Sequence, residues 1–294
     1  DKSKADIIVS KVSGKTGVIS DVTKEAKREL PPLAYDLTEL QRDANKKYGY
    51  SAKKTLQLMQ SLYEHHKLVT YPRTDSRHLT DDIVPTLPER LKSIAVGPYQ
   101  TSARNILRTK PNVTKRLIDN NKVSDHHAII PTEQFVDLSA LNNDERHIYD
   151  LIVKRFLAVL SPAFEYEQTT VKYELEGQLF TARGRIVKSS GWKSIYGAES
   201  GTNDDDSDSD EADDFDSGSR NRNQALPDIK KGQTEPINQV RTINGKTSPP
   251  KRFTEATLLS AMEHPGKYMD DKALKVVIEG TSGLGTPATR ADII

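Results

Sequence analysis

The hydrophobic period of this chain changes twice, and those changes restrict its fold more than any other property. From Glu165 onward the period is two: Val171, Tyr173 and Leu175 alternate with Lys172, Glu174 and Glu176, and a turn at Gly177-Gln178 leads into a returning strand. The opening stretch ADIIVSKVSGKTGVISDVTKE reads as two further strands around a turn at residues 13–17. Between these ends the spacing is helical. Asp36, with Glu39 three residues later, resembles a capping box, and the helix it starts runs to Gly49. Ser51 caps a second helix with Leu56, Met59, Leu62 and Tyr63 on one face, and His65, His66 and Lys67 fall at the end where the helix dipole favours cations. A longer helix, from about Asp144 to Leu160, stops at Ser161-Pro162.

Strands on either side of a helical stretch predict an α+β multidomain chain in which an antiparallel β domain, residues 1–32 and 161–248, is interrupted by a helical domain, residues 33–160. Residues 249–294, with the short helices TEATLLSAMEH and DKALKVVIE, read as the start of a further helical domain. The two helices joined by GYS and followed by the extended LVTYPRT suggest a helix-turn-helix with a strand-like wing, a shape often used on DNA.

Charge points to a polyanion. The 43 basic and 42 acidic residues nearly cancel, but nine of the acids lie in residues 204–216, DDDSDSDEADDFD, which hold no base. Elsewhere the bases outnumber the acids by ten. The tract and the polar residues around it, 201–223, read as a low-complexity loop, either a plain insertion or an acidic arm competing with DNA. No cysteine is present, so disulfides and thiolate metal sites are excluded. No apolar run approaches the about 20 residues that span a bilayer. The chain opens on Asp1 and ends inside an apolar helical pattern, so it reads as a fragment of a longer protein. Two Gly-Lys-Thr runs fail as P-loops, because the first glycine of the motif would fall on Val9 or Val240.

The segment KLVTYPRTDSRHLTDD, residues 67–82, carries the chemistry. Pro72 pushes Tyr71 into an extended conformation, and on an extended segment Tyr71, Arg73 and Asp75 project to one face. A phenol with a pKa of about 10 is a poor nucleophile unaided. A guanidinium on the same face would grip a phosphate and stabilise the charge of a phosphoryl-transfer transition state. From these residues alone Tyr71 is either such a nucleophile or one more amphipathic surface tyrosine among eleven.

With its preceding helix, this segment closely resembles the active-site segment of type IA DNA topoisomerases, in the proline-containing variant of one bacterial branch. PPLAYDLTELQRDAN, SDHHAIIPT, RFTEATLLSAME and GLGTPATRADII match further family segments in the same order. The resemblance implies that Tyr71 becomes joined to a 5′ phosphate and that Arg73 contacts the scissile phosphate. It places His126 near the active site, as a hydrogen-bonding or charged aid; a purely structural histidine remains the other reading. A metal site built from His65, His66, His126 and His127 finds little support. Thr286 and Thr289 lie where a helix start could meet single-stranded DNA, with an ordinary cap as the alternative; the topoisomerase I branch of the family has a different, often basic, residue at position 286.

The resemblance also implies ATP-independent cleavage of one strand, passage of another and religation, with the β domain as a hinge. It implies a Mg²⁺ site and a lysine on a Toprim domain whose strand pattern this sequence does not show. The expectation is therefore a monomeric piece of a cytoplasmic, nucleoid-associated enzyme. This piece would bind no metal itself, bind single-stranded DNA weakly and not cleave it alone. A tyrosine recombinase is excluded by order, because its His-x-x-Arg is absent and Tyr71 precedes His126. A non-catalytic winged-helix DNA-binding module is the competing reading.

Overall fold

The computed structural model describes residues 2–201, 225–247, 249–279, 281 and 283–294, so the acidic tract lies outside the described residues. By contact the chain divides into two units. One comprises Asp1–Leu30, Ala163–Gly191 and Glu199–Pro250; the other comprises Pro31–Pro162, Trp192–Ala198 and Lys251–Ile294.

The first unit holds helix α1 (Lys2–Val12) and strands β1 (Thr16–Glu29), β2 (Phe164–Leu175), β3 (Gln178–Ser189) and β4 (Thr234–Pro236). They form an antiparallel sheet in the order β3-β2-β1-β4. The β2–β3 hairpin closes with Leu175 opposite Gln178, and its two turn residues, Glu176 and Gly177, both have positive φ (51° and 71°). That turn type matches the natural twist of paired strands. At Gly17 the strand passes against its neighbour, and an added Cβ would lie 2.6 Å from the Glu174 carbonyl oxygen and 2.6 Å from the Tyr173 ring.

Residues 2–12 correct one expectation: they are a helix, where the sequence suggested a strand. The β-branched run Ile7-Ile8-Val9 favours strand, but Ala5, Ile8, Val9 and Val12 sit at one-face helical spacing and are the inward-facing residues of α1.

The second unit contains α2 (Leu37–Tyr48), α3 (Ala52–Glu64), α4 (Leu87–Ser93), α5 (Gln100–Thr109), α6 (Asn143–Val159), α7 (Glu255–Glu263), α8 (Lys272–Glu279) and α9 (Pro287–Ile293). Asp36 caps α2 by accepting from the Glu39 amide at 2.7 Å. The Glu39 side chain does not close a capping box; it meets Arg42 at 3.2 Å and Arg77 at 3.0 Å instead. Gly49 ends α2 with φ 69°, and Ser51 caps α3 by accepting from Lys54 at 3.1 Å. Leu40, Met59, Leu62, Tyr149, Ile152 and Phe156 are fully buried in a core shared by α2, α3 and α6.

Residues 251–294 dock on this core through helix ends. Glu255 accepts from the Ala52 amide at 2.7 Å, and Asn45 accepts from the Ala256 amide at 3.1 Å. The Arg290 guanidinium, 2% exposed, donates to Thr38 and to Glu263, each at 3.0 Å. Leu259 and Ala291 close over Ala52. The arm after α3 is extended, and among the described residues its strand-like pairing is a single bridge from Val69 to Pro131.

Candidate active site

The tyrosine segment is held by hydroxyls. Thr70 donates to the Ala128 carbonyl (3.2 Å) and accepts from the Ile130 amide (3.0 Å), while the Thr70 amide bonds Ile130 at 3.0 Å. Thr74 donates to the His126 carbonyl at 2.8 Å, and Ser76 donates to Lys122 at 2.8 Å. The Leu37 amide reaches the Thr74 carbonyl at 3.1 Å. Two loops that carry no regular strand are thus fastened to each other and to the start of α2. This meets the requirement that buried backbone groups find partners.

The period of two is visible in burial. Pro72, Thr74 and Ser76 are buried, while Arg73 and Asp75 are exposed and Tyr71 is half-buried on the same alternation. Thr74 and Ser76 bond to the 122–132 loop, so the exposed face is the one left for a ligand.

Tyr71 is fixed by rings. Its ring centroid lies 4.1 Å from that of His126, tilted by 35°, and 5.6 Å from Tyr63, edge-on at 86°. Among the described residues no hydrogen-bond partner occupies the Tyr71 hydroxyl. His126 is exposed, and its backbone carbonyl is the acceptor for Thr74. Tyr63 is a participant the sequence did not single out: its place on the apolar face of α3 gave no sign that its ring would also buttress the tyrosine.

Beside this stack opens a cleft of about 180 Å³, walled by Arg73, Asp75, Asp125, His126, Thr286 and Pro287, among others. A larger cavity of about 540 Å³ shares Asp75, Thr286 and Pro287 with it and continues to Asp36, Glu263 and Lys267. The structure therefore brings Tyr71, Arg73 and His126 together and sets Thr286 at the cleft wall. The Thr289 hydroxyl is turned to the helix instead: it accepts from the Thr286 amide at 2.9 Å and completes the cap of α9.

Asp36, at the base of the larger cavity, is pushed up to about 7 by burial, with Glu263 adding repulsion and the Glu39 amide and Arg77 partly offsetting it. The four histidines do not form a metal site. His66 faces Glu145 at 3.4 Å, and His127, lowered mainly by burial, bonds the Ala128 carbonyl at 2.7 Å. Among the described residues no group of three or more His, Asp or Glu side chains is placed to hold a metal ion.

A half-buried tyrosine stacked on a histidine, with an arginine beside it on the rim of a cleft, defines a candidate phosphotyrosine site. The comparisons with known proteins give the family of the chain. The family model described as DNA topoisomerase matches residues 1–294, and the chain belongs to that family. DNA topoisomerase 3 of Bacillus cereus is 51% identical over all of this chain and 39% of its own length. DNA topoisomerase 3 of Bacillus subtilis is 49% identical over 98% of this chain and 38% of its own length. Full-length topoisomerase I from Thermotoga maritima is similar in fold, with a TM-score of 0.63 at 22% identity, over 99% of this chain and 41% of that one. The chain thus spans about two fifths of the length of the relatives it matches.

Proposed function

We propose that this chain is the tyrosine-bearing part of a type IA DNA topoisomerase, which cuts one DNA strand through a 5′-phosphotyrosine, passes another strand through the gap and reseals it. The observation that carries this reading is Tyr71 stacked 4.1 Å from His126, with Arg73 exposed on the same face at the mouth of the cleft. In the forward step the Tyr71 oxygen loses its proton and bonds the phosphorus. The bond to the neighbouring 3′ oxygen breaks, and that oxygen leaves as a hydroxyl after taking up a proton. Arg73 neutralises the phosphate as charge builds on it, and His126 holds the phenol ring in register. Resealing is the reverse. The phosphodiester energy is kept in the tyrosyl ester, so no nucleotide is consumed.

The described residues do not fit the Mg²⁺ that the family resemblance implies, because no suitable set of acids converges among them. No step above passes through it; Mg²⁺ would belong to acids of a Toprim domain in the longer protein. Single-stranded DNA is the substrate on this reading, and the β unit acts as the hinge for the tyrosine unit. Thr289 then serves DNA by shaping the α9 start. A monomer acting on the bacterial nucleoid in the cytoplasm follows from the same reading. No described helix is long and apolar enough to cross a membrane.

Tyr71→Phe in the full-length protein tests the proposal, because it keeps the ring stack and removes the hydroxyl. DNA binding should persist, while relaxation and the detergent-trapped DNA adduct disappear. An adduct that survives the substitution sinks the assignment. If there is no relaxation or adduct even in the unsubstituted protein, the helix-turn-helix with its extended arm is a DNA-binding module only. The 294-residue chain by itself should form no adduct with Mg²⁺.

A further inference from the structure

The last segment of the second unit carries an aromatic pair that the reaction at Tyr71 does not use. Phe253 and Tyr268 are 58% and 63% exposed, yet their rings meet edge-to-face at 5.9 Å. Large aromatic rings are normally buried for the apolar area they remove from water, so two neighbouring rings left in solvent are unusual. Basic residues immediately precede both rings in sequence, while Asp270 and Asp271 follow Tyr268. Lys251 and Arg252 precede Phe253, both exposed and neither with an acidic partner among the described residues, and Lys267 precedes Tyr268.

Position gives the pair a direction. Lys267 lines the 540 Å³ cavity, and that cavity shares Asp75, Thr286 and Pro287 with the cleft beside Arg73 and His126. The two hollows thus adjoin, and the larger one reaches Lys267, the residue next to Tyr268. From these observations we infer that Phe253 and Tyr268 are a stacking platform for an unpaired base of the DNA strand held at Tyr71, with Lys251 and Arg252 meeting its phosphates. This rests on the reading of single-stranded DNA as the substrate. Every base has a π-face, so such a platform grips a strand without reading its sequence, and flanking cations supply the salt-dependent part of the binding. It would hold the strand away from the break, on the same unit that carries the nucleophile.

The test uses the 294-residue chain and a short oligothymidylate, alone and with its bases replaced by abasic sites. Phe253→Ala and Tyr268→Ala should each weaken binding of the oligothymidylate about tenfold, and Tyr268→Phe should bind like the parent. The parent should lose affinity for the abasic strand, and the two alanine variants should lose much less. An iodouracil-substituted strand should photocrosslink to the peptide containing Tyr268 or Phe253. Alanine variants that bind as tightly as the parent, or a crosslink confined to other peptides, would overturn the platform while leaving the Tyr71 assignment standing. If the parent does not bind the strand at all, the platform and the substrate reading fall together. A platform covered by another part of the longer protein shows itself as a crosslink obtained with this chain and lost in the full-length one, and that outcome also overturns the proposal.

Discussion

The Thr74 hydroxyl donates to the backbone carbonyl of His126 at 2.8 Å, and this bond ties the tyrosine segment to the histidine against which Tyr71 stacks. The same oxygen accepts from the Ser76 amide at 3.0 Å, so one side chain serves both loops. Neither loop belongs to a sheet or helix that could position it otherwise. The ring contact at the candidate site therefore depends on a hydroxyl lying 2% exposed beneath it.

Thr74→Val tests that dependence with almost no change of shape. It leaves the His126 carbonyl and the Ser76 amide without their buried partner, a loss of about 1–3 kcal/mol. Urea unfolding of the second unit should shift to lower denaturant by that amount. In the full-length protein, cleavage should fall more than DNA binding, because the phosphate-facing Arg73 is untouched. An unchanged unfolding midpoint would show that the loops hold each other without Thr74.

Asp36 makes stability depend on pH in the unusual direction for a carboxylate. Its folded pKa is raised to about 7, chiefly by burial and further by Glu263, against an unfolded value of about 4. Between those values the folded state holds a proton that the unfolded chain has lost. Stability from this residue is thus full below about pH 4, falls as pH rises, and is at its lowest above about pH 7. Asp36→Asn keeps an equally good cap and removes the titration. The variant should match the parent near pH 4 and exceed it at pH 8, by an amount on the order of 4 kcal/mol at most. Equal stability of the two proteins at pH 8 would show that Asp36 is as easily ionised in the fold as outside it.

The local parts of this architecture were legible because they depend on neighbours in sequence. Asp36, Gly49 and Ser51 bracket α2 and α3 as cap residues should, and the alternation around Pro72 predicted which side chains would share a face. At α1 the β-branched run favours strand, while the one-face spacing of Ala5, Ile8, Val9 and Val12 carries the helix. Other features were invisible for a different reason. Arg290 bonds Thr38 across 252 residues, and the ring of Tyr63 on α3 meets that of Tyr71 beyond the end of the helix. No period or motif encodes which distant partner a buried guanidinium will find. Arg290 was legible only as part of a matched segment, and its role came from the fold.

Arg290 is the anchor of residues 251–294 on α2. Its guanidinium is 2% exposed and also donates to the Leu284 carbonyl at 3.1 Å, so Leu284, Thr38 and Glu263 all depend on it. Arg290→Met keeps much of the volume and strands the Glu263 carboxylate near Asp36. Breaking a buried pair from one side costs about 3–5 kcal/mol. Limited proteolysis should then cut within 251–294 well before the α2–α6 core, whereas the parent should resist. Adding Glu263→Gln to Arg290→Met should recover part of the loss, since the stranded charge is gone. A double variant as fragile as the single one would assign the loss to packing rather than charge.

In the β unit the sharpest test is Gly17→Ala. The Gly17 amide donates to the Tyr173 hydroxyl at 2.8 Å, and that hydroxyl donates to the Glu235 carbonyl at 2.7 Å, so one phenol joins β1, β2 and β4. A methyl at position 17 would arrive 2.6 Å from the ring carbon that bears the hydroxyl and 2.6 Å from the Glu174 carbonyl oxygen. The backbone oxygen has little freedom, so the ring must leave and both of its bonds go with it. Overpacking of this kind costs about 1–3 kcal/mol. Hydrogen exchange should quicken at the amides that pair β4 with β1 while the β2–β3 hairpin stays protected. Tyr173→Ala alone should loosen the same edge. Because Gly17→Ala and Tyr173→Ala disrupt the same contact, their costs should fall well short of additive. Full additivity in that cycle would mean that the glycine is needed only for the approach to the Glu174 backbone, and that the phenol is a bystander.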